Sequence, residues 1–158
     1  MDSLKSALKG QYHGALAMLR QTLETCPDDL WNSGTPPRQF WRLAYHTLYF
    51  THLYMELQAE NFQQWAKHRD EVESDQQKLD ATPYSKADLL EYWDIVDGRV
   101  NSQIDLMDLT SSDCGIPWYK MPKLDHQIMN IRHVQEHAGQ LRDRLLEASI
   151  DQKWVGRA

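Results

Sequence analysis

The sequence predicts an all-α protein, a bundle of four long helices, and three observations predict it. Apolar residues recur at three- and four-residue steps in four separate stretches, which is the period of an amphipathic helix. Pro and Gly fall mostly between those stretches. No alternating strand pattern competes, and the single Asp97-Gly98 pair lies inside a helical pattern rather than between two strands. The 158 residues suit one domain, 1–158, with a single core.

The first two predicted helices span residues 3–26 and 38–60. Pro27 stops the first, and Pro36-Pro37 mark the start of the second. In the second helix, apolar residues spaced 3, 4, 3 and 4 apart form a bundle seam, and a histidine occupies one of its positions; the residues are Leu43, His46, Phe50, Leu53 and Leu57.

Residues 61–84 form a long connection, polar and mostly aperiodic, with room for a short helix near residues 62–68. A connection of this length can cross a bundle, so the second and third helices can run parallel. The third predicted helix, 85–108, begins with a capping box of Ser85 and Asp88. The fourth spans residues 123–149 after a loop at 109–122, and residues 150–158 are predicted to be a tail.

Composition limits the compartment and the partners. Cys26 and Cys114 give no disulfide framework, no apolar run approaches the roughly 20 residues that cross a bilayer, and no signal region is evident. We therefore expect a reduced, cytoplasmic protein that does not bind membranes. The net charge of −6 argues against a general nucleic-acid binder, which needs a basic surface to displace counterions.

Three histidines carry the main functional prediction. His133 and His137 stand four residues apart, so on a helix they share one face, and His46 can supply a third nitrogen from a facing helix. Three protein nitrogens with one open position is how a catalytic zinc-type site is built, whereas structural sites are closed by four protein ligands. The sequence therefore predicts a divalent metal on His46, His133 and His137.

The other histidines are given simpler interpretations. His126 lies two turns from His133, roughly 10 Å along the helix axis, so it is predicted to line a pocket or cap a helix rather than to bind the same metal. His13, His52 and His68 have no partner at a useful spacing and are predicted to be surface residues.

Two further patterns concern catalysis. The string from His133 to His137 matches the inverted zinc-protease motif H-x-x-E-H, but Glu136 is predicted to face solvent or an adjacent helix rather than to act as its base. No acid or base residue is indicated, although Gln140 and Asn130 are candidates to orient the ligand imidazoles.

Aromatic residues that flank the ligand helices are expected to wall a substrate pocket, although such strips more often form a core or a dimer interface. They are Trp41, Tyr45, Trp118 and Tyr119.

The chain resembles the DinB/YfiT-like superfamily of metal-binding four-helix bundles. The segment His133-Val-Gln-Glu-His137-Ala-Gly-Gln-Leu is similar to the family's fourth-helix pattern, and Ala44-Tyr45-His46-Thr47-Leu48 is similar to its second-helix pattern. Ala138 stands where the family often has Arg, which leaves the metal assignment intact but affects a substrate or surface contact.

The resemblance implies an up-down-down-up bundle, often dimeric, with His46, His133 and His137 as ligands of zinc, nickel or a related ion such as iron or manganese. It also implies a metal-dependent S-transferase that acts on a low-molecular-weight thiol and an electrophilic substrate. Two alternatives stay open: a metal-dependent hydrolase, and a non-enzymatic metal- or partner-binding bundle.

Overall fold

Helices provide the regular structure of the chain. The computed structural model describes residues 2–73 and 78–158, and within these ranges it contains α-helices, one 3₁₀ turn and no strand. The prediction of an all-α fold is confirmed. The elements are α1 (Asp2–Thr25), α2 (Asp28–Trp31), α3 (Phe40–Tyr54), the 3₁₀ turn Ala59–Asn61, α4 (Lys86–Leu106) and α5 (Lys123–Glu147).

α3 ends six residues before its predicted end, although apolar spacing continues beyond Tyr54. The reason lies in a distant residue. The buried ammonium of Lys123 donates to the carbonyl oxygens of Leu57 (3.0 Å), Glu56 (3.3 Å) and Cys114, and so binds backbone groups just past the helix end. The short helix expected near residues 62–68 is absent, and a 3₁₀ turn precedes that segment instead.

The one-turn helix α2 was not predicted. Its start is set by Pro27, whose carbonyl oxygen accepts hydrogen bonds from the amides of Leu30 and Trp31. Trp31 is buried, and its indole N–H donates to the carbonyl oxygen of Tyr84 at 2.7 Å. That contact ties the loop after α1 to the segment that precedes α4.

Four long helices enclose the apolar core. α1 and α3 each pack against both α4 and α5. Buried aliphatic and aromatic side chains from all four helices meet between them; Leu16, Leu19, Leu48, Tyr92, Val96, Val134 and Leu141 are examples. The apolar faces expected from sequence therefore point to one common interior.

Polar side chains on α5 cross that interior. Gln127 accepts a hydrogen bond from the Tyr12 hydroxyl at 2.7 Å and donates to the Tyr54 carbonyl oxygen at 2.9 Å, which links α1 to α3. Asn130 donates to the Thr51 carbonyl oxygen at 3.2 Å. Buried amides need such partners, so these bonds fix how α5 sits against its neighbours.

The start of α4 and the chain after α5 are also held by specific contacts. The predicted capping box is confirmed: Ser85 Oγ accepts from the Asp88 amide at 3.1 Å, and the Asp88 carboxylate accepts from the Ser85 amide at 3.3 Å. Residues 150–158 are not helical, but they lie along α1, where a Cβ added at Gly14 would be 3.3 Å from the Arg157 Cα atom. None of the described helices combines the length and apolar character needed to cross a bilayer.

Candidate metal centre

The three predicted ligand histidines lie together where α3 faces α5. His46 is on α3, and His133 and His137 are on α5. Each offers one ligand atom, and the three atoms lie within 4.8 Å of one another. Nitrogens that bind the same zinc-sized ion are about 3.3 Å apart. Small side-chain rotations would therefore bring these three atoms to the distances that one ion requires. Among the described residues, no other group of three or more His, Cys, Asp or Glu is arranged in this way.

Hydrogen bonds orient two of the three rings. His46 Nδ1 lies 3.1 Å from Glu73 Oε2, and His137 Nδ1 lies 2.9 Å from Gln140 Oε1. When such oxygens accept from Nδ1–H, the lone pair of Nε2 is left for a metal ion. Gln140 was a sequence candidate for this role, whereas Asn130 binds the Thr51 carbonyl oxygen instead.

Sequence reasoning missed Glu73. It lies in the connection before α4, where no periodicity predicts which side chains face inward. A carboxylate partner for a ligand imidazole is a common feature of metal sites, but its place in a loop cannot be read from helical spacing.

His133 shows most directly that the three residues fit a metal ion. Both of its ring nitrogens are buried, and neither has a hydrogen-bond partner among the residues that the structure describes. Burial, together with the neighbouring His137 and His46, lowers the pKa of His133 to about 3, so the ring is neutral at pH 7. The pKa of His137 is also lowered, mainly by burial. Neutral imidazole is the form that binds metals, and unpartnered buried nitrogens are costly unless something binds them.

A cleft of about 320 Å³ lies beside His46 and His137. Arg42 lines it as well, and its buried guanidinium donates to the carbonyl oxygens of Glu71 and Val72. The remaining lining is mixed in charge and polarity: Pro37, Arg38, Leu43, Glu73, Glu136 and Gln140.

The four aromatic residues expected to wall a substrate pocket do not line this cleft. Trp41 and Tyr45 are fully buried in the core, where the Trp41 indole donates to Asn32 Oδ1 at 2.9 Å. Trp118 is 56% exposed. Tyr119 contacts the ring of Tyr54, which in turn lies 6.1 Å from the ring of His133.

His126 is separate from the group of three histidines. Its buried ring packs against Tyr54 and Tyr119, with centroid distances of 5.1 and 5.2 Å. Burial, and secondarily the charge of Lys123, lowers the pKa of His126 to about 4.

The surface prediction was wrong for His52 and His68. His52 is buried, its Nδ1 lies 3.2 Å from the Tyr92 hydroxyl, and burial lowers its pKa to about 4. The His68 side chain is 5% exposed and bonds with the Tyr45 hydroxyl. Both are covered by residues distant in sequence: the His52 ring packs against Phe62 and Tyr92, and the His68 ring stacks on Tyr45. The spacing of residues within one helix cannot indicate such contacts. His13 lies at the edge of the contact between α1 and α4, paired with Asp97 at 2.7 Å.

Comparison with family models, curated proteins and solved structures gives no match to this chain. The functional interpretation therefore depends on the geometry of the site. Three imidazole nitrogens lie within 4.8 Å of one another, and a cleft adjoins two of the three residues, His46 and His137. This arrangement can hold one divalent ion and leave a coordination position for a small ligand.

Proposed function

We propose that this chain is a divalent-metal-binding protein of the DinB/YfiT-like type, with one ion on His46, His133 and His137. The observation that carries the proposal is the pair of buried ring nitrogens of His133, which have no hydrogen-bond partner within residues 2–73 and 78–158 and lie beside two other imidazoles. Zinc and nickel are favoured, with iron and manganese as further candidates, because imidazole suits these borderline metals better than it suits magnesium or calcium.

The proposal includes an up-down-down-up four-helix bundle. Contacts between α1 and α4 run in opposite order along the two helices, whereas those between α1 and α5 run in the same order. The pairs are Lys9–Asp105 and Arg20–Asp94 in the first case, and Tyr12–Gln127 and Met18–Gln135 in the second. Contacts between α3 and α5 again run in opposite order, as His46–His137 and Tyr54–His126 do. These orders support α1 and α5 pointing one way and α3 and α4 the other.

The activity that we favour is thiol S-transfer to an electrophilic small molecule. A bound ion in this site would hold a thiol as its thiolate at neutral pH. The chain contributes imidazole ligands, which bring no negative charge and so leave the ion its full charge, and a cleft in which Arg38 and Glu136 are exposed to a second substrate. Both cysteines are free and buried, which fits a reduced, cytoplasmic setting. The proposed assembly is a homodimer.

A metal-dependent hydrolase is the second candidate, and one observation favours it. Glu136 places a carboxylate in the cleft next to His137, where a base could accept a proton from metal-bound water. A non-enzymatic metal-binding bundle is the third, and it predicts metal binding without turnover of either substrate class.

The test is stoichiometric metal binding. Protein stripped with a chelator is titrated with Zn²⁺ in competition with a coloured chelator, and the purified chain is also subjected to elemental analysis. We expect one ion per chain in the wild type and in His126→Gln, and loss of that ion in His133→Ala. Full occupancy in His133→Ala would refute the assignment. A panel of thiols with an electrophile, against a panel of ester and amide substrates, then separates transferase from hydrolase.

A further inference from the structure

We infer that two residues besides the three histidines belong to the metal centre: Glu73 positions His46, and Arg42 holds Glu73 in place. This inference rests on the proposed metal site. It adds two residues to that site, of which Glu73 lies in a stretch without helical periodicity.

The contact between Glu73 and His46 sets the state of the ligand ring. Glu73 Oε2 lies 3.1 Å from His46 Nδ1, and the Glu73 side chain is 15% exposed. An ionised carboxylate can only accept a hydrogen bond, so it selects the ring form with a proton on Nδ1. Nε2 is then the unprotonated nitrogen, and the carboxylate makes that nitrogen more basic toward a metal ion.

Arg42 anchors the segment that carries Glu73. Its guanidinium donates to the carbonyl oxygens of Glu71 at 3.0 Å and Val72 at 3.1 Å on one side of Glu73, and of Leu79 at 3.4 Å on the other. The Arg42 side chain is 1% exposed. A buried guanidinium is costly unless its donors are bound, so breaking these bonds is unfavourable and Glu71, Val72 and Leu79 are held against α3.

The two roles are linked through one helix face. Arg42 and His46 are four residues apart on α3 and therefore lie next to each other on its surface. One turn of helix thus presents both a ligand and the anchor for that ligand's hydrogen-bond partner. A surface ion pair without a function would need no such anchor, and it would contribute little to the free energy of unfolding.

The test compares the Zn²⁺ affinity of matched variants by chelator competition. Glu73→Ala should bind Zn²⁺ about 10- to 100-fold more weakly, as expected for loss of an outer-shell partner. Glu136→Gln is the matched control, since Glu136 is an acid in the same cleft without a hydrogen bond to any of the three histidines among the described residues. Its affinity should change less than threefold. Equal losses of Zn²⁺ affinity in the two variants would mean that the removed negative charge alone explains the effect, and would overturn the inference.

Arg42→Lys should weaken Zn²⁺ binding in the same way, and adding it to Glu73→Ala should cause little further loss, because both changes remove the same contact. Additive losses would contradict an anchoring role. If Arg42→Lys does not fold, Glu73→Ala alone decides, since Glu73 is outside the core.

A second readout separates this inference from the proposed function. Nitrogen-15 spectra of the metal-free protein report which ring nitrogen of His46 carries the proton. We expect a proton on Nδ1 in the wild type and a mixture of forms in Glu73→Ala, while Glu136→Gln stays as the wild type. Failure of the wild type to bind Zn²⁺ would refute the metal site and leave this ring signature intact. Normal Zn²⁺ binding with unchanged ring signals in Glu73→Ala would refute the positioning role alone.

Discussion

Acid should destabilise this fold through His126, whose buried ring must stay neutral. Its pKa is lowered from 6.5 to about 4 in the folded chain. The unfolded chain therefore binds the proton more readily, so stability falls as the pH drops below 6.5, and the loss is complete near pH 4. Each pH unit in that window is worth about 1.4 kcal/mol, so the loss from this residue at pH 5 is about 2 kcal/mol.

The matching substitution is His126→Phe, which removes the titrating group and keeps an aromatic ring against Tyr54 and Tyr119. Urea unfolding at pH 7 and pH 5, in the presence of EDTA, gives the free energy of unfolding at each pH. The wild type should lose about 2 kcal/mol more than His126→Phe between the two. The comparison uses differences, so any loss of packing in the variant cancels.

His13→Asn is the control, because it removes a histidine from the edge of α1 and leaves His126 in place. Between pH 7 and pH 5, that variant should still show the extra loss in the free energy of unfolding that His126 causes. Parallel pH dependence in the wild type and His126→Phe would show that the buried ring is not a source of acid sensitivity, and the reasoning would be wrong.

Three further substitutions test the helices and the chain after α5. Ser85→Ala removes the capping box of α4 and should lower the free energy of unfolding by about 1 kcal/mol in urea titrations. Gly98→Ala should raise it by up to about 1 kcal/mol, because a Cβ there meets nothing within 4 Å and alanine favours the helix; a decrease would contradict the open space seen at that position. Gly14→Leu should displace the segment around Arg157, so trypsin should cleave after Lys153 faster than in the wild type, whereas an unchanged cleavage rate would show that this segment is not held on α1.

Local spacing predicted the parts of the site that lie on helices. His133 and His137 share a face because they are one turn apart, and His46 was placed inward by the apolar residues around it. The structure then brought the three within 4.8 Å. The end of α3 could not be predicted in the same way, because the group that binds the carbonyls just past it is Lys123 at the start of another helix.

Contacts made by the long connection were equally hidden from sequence. Glu73 and His68 lie in a polar, aperiodic stretch, so neither the hydrogen bond to His46 nor the burial of His68 has a local signal. Trp65 illustrates the physical cause: it stacks on Tyr92 of α4 at 4.7 Å and lies 6.3 Å from Tyr45 of α3, so its burial depends on two helices. Whether a loop residue is buried depends on such partners, which are distant in sequence, and not on the periodic spacing of apolar residues.

The buried amides of Gln127 and Asn130 have a consequence for the imidazoles farther along α5. They bind the carbonyl oxygens of Tyr54 and Thr51, and those bonds exist in only one register of α5 against α3. A slip of one helical turn, about 5.4 Å, would break both of these bonds. His133 is therefore held near His46 without a metal ion, so binding of the proposed ion would not have to align the two helices.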